Sequence, residues 1–193
     1  EYLFTFAEDR LRSDGIGIRI AANPLHLSAL SWYRAQGFTG TPETITVDGY
    51  DAIRDGNTIY VAGSNTDGSA TGRVYSNIYV ISRNPDAKEE TVAIFDQLVL
   101  NWMFNVNLER DSQNACIHDA GGVGGAYVLR DGVPMECTAD WECAAGGDGT
   151  ARCASFKAKL QRDTRRVADF QLMTGALERS RQRSGAYPLL NNG

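Results

Sequence analysis

Cysteine is missing from residues 1–115 and again from 154–193, and histidine occurs only as His26 and His118. No apolar run approaches the ~18–20 residues that a membrane-crossing helix needs, so no such span is expected in this chain. The two histidines lie far apart in sequence, and no Gly-x-Ser-x-Gly elbow accompanies them, which leaves a Ser-His-Asp triad unsupported. No Cys-x2-Cys pair offers zinc a tight turn, and no acidic loop has EF-hand spacing. The run Gly121-Gly-Val-Gly-Gly125 lacks both the Gly-Lys-Ser/Thr ending of a phosphate loop and the helix-opening Gly-x-Gly-x-x-Gly. It is expected to be a flexible connection. A net charge of −5 argues against a general nucleic-acid binder, which carries a basic footprint. No cofactor is implied.

What is present is an adequate core and many turns. An apolar fraction of 42% makes wholesale disorder untenable. Twenty glycines against five prolines suit strands and turns better than a helical bundle. Charge is divided unevenly. Residues 157–183 hold eight basic and three acidic side chains, a net +5, whereas residues 1–156 hold eleven and twenty-one, a net −10. An acidic body and a basic tail attract each other within a chain or between copies, although a solvated helix face accounts for the same run of charge. The chain opens at Glu1 without a leader and stops at Gly193, and reads as a mature or trimmed piece of a longer product.

The four cysteines, Cys116, Cys137, Cys143 and Cys153, all fall within one Gly- and Asp-rich stretch. An even count there reads as two disulfides closing a segment with little core of its own, each contributing about 2–4 kcal/mol. Three pairings are open. Zinc is the competing reading, with His118 as a spare donor, but the spacings x20, x5 and x9 disfavour it. The clause Cys137-Thr-Ala-Asp140-Trp-Glu-Cys143 resembles small disulfide modules of secreted proteins. Bridges imply an oxidising compartment, hence an extracellular or cell-surface location. Asp140, Glu142 and Asp148 offer hard oxygen donors to calcium, but a solvated loop explains them as well.

Strand-period segments occur at residues 2–6, 16–20, 44–47, 49–56, 58–61 and 73–82. Asn23-Pro24 reads as the start of a short helix through Arg34 that Gly37 stops. Asn84-Pro85 reads as the start of a second helix, with Glu89 and Glu90 in its first turns and Val92, Phe95, Leu98, Val99 and Trp102 on one face. Residues 63–72 are expected to be a polar loop. The predicted fold is α+β, a mostly antiparallel sheet covered by helices over residues 1–110. A stapled segment follows at 111–154, then a long amphipathic helix in 155–193. Its stripe is Leu160, Val167, Phe170, Met173 (or Thr174) and Leu177, with Gly185 and Pro188 ending it.

Two resemblances follow. From Ile45 to Phe104, the Gly49-Tyr50-x-Ala52 turn, the strands and the closing Trp102-x-Phe104 are similar to lipoprotein-type and PsbP-like sandwich domains, a class that binds or scaffolds more often than it catalyses. Arg162-Asp163, Arg166, Asp169-Phe170, Ala176-Leu177-Glu178 and Ser184-Gly-Ala-Tyr-Pro188 resemble the exposed half of the first helix of type IV pilins and type II secretion pseudopilins. Phe170 stands where that family has Leu, and Ser184 where it has Asn. A Cys-rich segment precedes this helix instead of an apolar stalk, so the resemblance implies a surface or filament-associated structural protein that carries a pilin-like helix. Protein partners, copies of the chain among them, would meet Arg162, Arg165, Arg166, Arg179, Arg181 and Arg183. A small-ligand or glycan module using Trp32, Tyr33, Tyr50, Tyr60 and Trp141 is the alternative. A secreted hydrolase working through carboxylates is the third.

Overall fold

The computed structural model describes residues 2–9, 12–66, 73–105, 114–118, 127–144 and 150–188. The glycine run at 121–125 and Asp148 lie outside them. Two compact units divide the chain. The first comprises residues 1–64, 75–104 and 164–193, the second 65–74 and 105–163.

The first unit is built on a six-stranded antiparallel sheet: β1 (Tyr2–Asp9), β2 (Arg12–Ala22), β3 (Glu43–Val47), β4 (Tyr50–Asp55), β5 (Thr58–Thr66) and β6 (Val74–Arg83). The order across the sheet is β1-β2-β6-β5-β4-β3. After the β1–β2 hairpin the chain therefore crosses to the far edge, then returns strand by strand until β6 pairs with β2. Helix α1 (Ala29–Ala35) makes the crossing, and α2 (Glu89–Leu100) follows β6.

Side chains alternate across a strand, and both faces are apolar. Ile16, Ile18, Tyr50, Ala52, Ile59, Val61 and Ile81 form one cluster with Phe95 of α2 and Phe104. Ile53, Tyr60, Ala62 and Ile78 form the other with Ala29 and Tyr33 of α1. Helices thus cover both sides, and the α+β sandwich expected from the residue pattern is present. Leu98, Val99 and Trp102 pack beside Phe95, the face predicted for this helix.

Three boundaries differ from expectation, the two helix starts because a capping side chain is engaged elsewhere. Asn23 exchanges two hydrogen bonds with the Leu27 backbone, 3.0 and 2.8 Å. The helix consequently begins at Ala29, capped by the Ser28 hydroxyl, which accepts from Ser31 N at 3.2 Å. Asn84 Oδ1 accepts from Gly15 N at 3.0 Å, so α2 starts later, after Lys88, whose side chain makes no cap. Asp14 of β2 supplies that cap, accepting from Lys88 N at 2.8 Å and the Thr91 hydroxyl at 2.9 Å. Residues 63–66, expected in a loop, extend β5. Ser64 and Thr66 are buried, and Gly63 leaves room for the Tyr79 and Phe104 rings, which an added Cβ would meet at 3.0 and 3.3 Å.

The second unit holds a small sheet ordered β10-β7-β11, from β7 (Asn114–His118), β10 (Glu136–Cys137) and β11 (Ala151–Ala154). A two-residue ladder, β8 (Leu129–Arg130) with β9 (Val133–Pro134), and a short helix α3 (Asp140–Ala144) complete it. Helix α4 (Phe156–Ser184) begins in this unit and belongs to the first from Thr164 onward. Among the described residues, no helix is long and apolar enough to cross a membrane.

Candidate functional site

Two features stand out: the buried sulfur cluster of the second unit and the exposed distal half of α4. In the cluster, Cys116 is bonded to Cys143 and Cys137 to Cys153, so of the three possible pairings the bridges take the interleaved one. Cys116 and Cys143 are fully buried, and Cys137 nearly so, beside Val128, Ala151 and Met135. The acidic residues around them serve the local fold. Glu142 accepts from Thr138 N at 2.8 Å and from its hydroxyl at 2.6 Å, a two-pronged clasp that fastens the start of α3. Those bonds hold the Glu142 carboxyl below its ordinary pKa. Asp140 accepts from Cys153 N at 2.8 Å, tying α3 to β11. Two of the three calcium candidates are therefore engaged within the protein, and Asp148 is not described.

The arginines proposed as a contact surface divide. Arg162 is buried, with its guanidinium 4.7 Å above the Tyr127 ring, and its Nε and Nη2 have no hydrogen-bond partner among the described residues. Arg165 makes a two-pronged pair with Asp51, 3.1 Å from Nε and 2.6 Å from Nη2. The hydrogen bond to Asp51 raises its pKa. Arg166 is half-buried. Arg179, Arg181 and Arg183 are exposed, and Arg181 pairs with Glu178 at 3.0 Å. Glu178 also accepts from the Tyr187 hydroxyl, and Arg181 lies 5.7 Å from that ring. Bonding first to Tyr187 and then to Arg181 lowers the Glu178 pKa. Glu178, Arg181 and Tyr187 thus close a small cluster across the end of α4, which stops before Gly185, whose φ is +77°.

The apolar stripe itself departs from expectation. Leu160 and Ala168 are buried. Val167, Phe170, Leu172, Met173 and Leu177 are instead 37%, 65%, 49%, 58% and 43% exposed. The reason is rotational. At about 100° per residue, the arc that buries Leu160 and Ala168 and carries Arg165 to Asp51 turns Phe170, Met173 and Leu177 outward. Nothing in the linear pattern shows which side of an amphipathic helix the Arg165–Asp51 pair will select.

Of the candidate ligand aromatics, Tyr33, Tyr50 and Tyr60 are buried in the two cores. Trp32 packs on the second core, and Trp141 stands 75% exposed. Tyr33 donates to Asp55 at 2.5 Å, which raises its pKa above the usual phenol. Burial does the same to Tyr50. His26 Nδ1 lies 2.8 Å from the Ser76 hydroxyl, and Ser76 lies 2.7 Å from Ser64. Both serines are buried, so this relay ties the Asn23–Leu27 turn to the sheet. An open groove of about 540 Å³ runs along α2 by Ile94, Leu98, Trp102 and Met103, and a second of about 440 Å³ lies between β3 and α2, flanked by the Arg54–Asp96 ion pair.

Comparison with protein-family models, curated proteins and solved structures finds no match. Two bridges and the absence of a membrane-crossing helix among the described residues are compatible with an extracellular protein.

Proposed function

We propose that this chain is an extracytoplasmic structural protein, of the bacterial surface or filament-associated kind, that associates with copies of itself through the distal half of α4. The observation that carries the reading is the row of exposed apolar side chains, Val167, Phe170, Met173 and Leu177, with exposed Arg181 on the same side of the helix. Apolar residues at helical spacing on a solvent-facing side are costly to leave wet and mark a surface made to be covered. Aromatic, Met and Arg side chains are those enriched where proteins meet. Charge favours a second copy as the partner, because residues 1–156 carry −10 and residues 157–183 carry +5. The resemblance of α4 to the pilin helix and the interleaved bridges support the same reading.

The test is sedimentation velocity across a range of concentrations and salt. Wild-type protein is expected to associate, less so as salt rises. The double substitution Phe170→Asp, Met173→Asp should yield a monomer with unchanged circular dichroism, since both side chains are exposed. A wild type that stays monomeric at every concentration would sink the self-association.

A further inference from the structure

The four sulfurs meet in a way that the linear spacing conceals. On β7, Cys116 faces Cys153 of β11 directly across the ladder. On the other side β10 pairs Cys137 with Asn114, two residues from Cys116. Directly opposed residues share a face, and so do residues two apart on one strand. Three cysteines from three strands therefore point to one side of the small sheet. Helix α3 packs against the same three strands and brings Cys143. The Sγ atoms of Cys116, Cys137 and Cys143 all lie within 4.8 Å of one another, and Cys153 Sγ is bonded to that of Cys137. Zinc bound by four thiolates at ~2.3 Å sets its sulfurs about 3.8 Å apart. Sequence spacing disfavoured zinc because no two cysteines share a tight turn. Sheet pairing removes that objection.

We infer that the reduced form of this segment is a tetrahedral zinc site, with Cys116, Cys137, Cys143 and Cys153 as the four ligands, which the two disulfides replace on oxidation. The steps balance. A dithiol or phosphine reductant gives each bridge two electrons, two protons join the separated sulfurs, and the reductant leaves as its own disulfide or oxide. The four thiols then lose four protons to the solvent as they bind one Zn²⁺, and the complex is doubly negative. Such a site would keep the segment folded before the bridges close. The inference rests on the extracytoplasmic reading only in assigning the bridges to the exported protein and the metal to the state before export.

The experiment uses the full chain, reduced anaerobically, freed of reductant and titrated with Co²⁺ and then Zn²⁺. Expected are one cobalt per chain, the intense red-region bands of a tetrahedral thiolate complex, and their loss when zinc displaces cobalt. Diamide should then release the metal and restore both bridges. Cys143→Ser should lose the four-sulfur spectrum. A pale octahedral spectrum from the wild type, or a spectrum unchanged by Cys143→Ser, overturns the site. Alkylation and intact mass of the protein as isolated test the other reading separately. Four alkylated thiols there sink the extracytoplasmic assignment and leave the metal site standing, whereas two bridges with no cobalt spectrum after reduction sink the metal site alone.

Discussion

Reduction in the presence of a chelator should unfold the second unit and spare the first. The Cys116–Cys143 bridge closes 27 residues and Cys137–Cys153 closes 16. Loop-closure entropy gives about 3.6 and 3.1 kcal/mol for the two. Because the bridges interleave, the second closes a loop that the first has already shortened, so their sum of about 6–7 kcal/mol is a ceiling. Against that stands a core of Val128 and Ala151 around the half-cystines, with Met135 at its margin. Fully burying one Val or Met contributes only about 1.5–3 kcal/mol. The first unit has no cysteine and keeps both apolar clusters. Limited trypsin digestion with hydrogen exchange reads the outcome. Cleavage should appear at Arg130 and Arg152, while amides of β2, β5 and β6 stay protected. Arg130 and Arg152 resistant in the reduced, chelated chain, or a six-stranded sheet that exchanges equally fast, would refute the reasoning.

Phe95→Ala should destabilise the first unit by about 3–5 kcal/mol in denaturant titration, because its ring is fully buried with the Arg54 and Arg83 guanidiniums at 6.0 and 5.9 Å. A loss under about 1 kcal/mol would mean that the α2 face is not the core. Asp14→Asn should flatten the acid limb of the stability–pH curve. The Lys88 backbone N–H and then the Thr91 hydroxyl hold the Asp14 carboxyl below its ordinary pKa of 3.8. Its stabilisation is therefore present above the unfolded-state value and is lost as pH falls through the folded one. Parallel wild-type and variant curves below pH ~4 would remove Asp14 as the cap of α2.

The sheet was legible because its strands carry their own signals: Ile16, Ile18 and Ile20 alternate, and Arg73 to Ser82 is dense in β-branched and aromatic residues. The start of α2 was not, because its cap comes from Asp14, 74 residues away from Lys88. The small sheet was hidden for a different reason. β10 is two residues long and β11 four, too short for any period to emerge, and covalent sulfur does the work that apolar area does elsewhere. Of the candidate site, the four cysteines and the amphipathic helix could be read directly. Their meeting on one face of β7, β10 and β11 could not, since it depends on strand register, nor could the burial of Arg162 over Tyr127.

The β2–β6 pairing has a kinetic consequence. Strands β3 to β6 wind up locally, each beside its predecessor in the chain, and β1 with β2 form a hairpin of their own. One seam, in which Ile16 meets Arg83 and Ala22 meets Asn77, sews these halves together. Among the described residues it is the sheet's one distant pairing, and its closure entropy must be met before the six-stranded sheet is complete. The hairpin and the meander are thus two pieces of one fabric, and a chain cut between Pro24 and Gly40 would still hold both halves needed to rejoin along that seam.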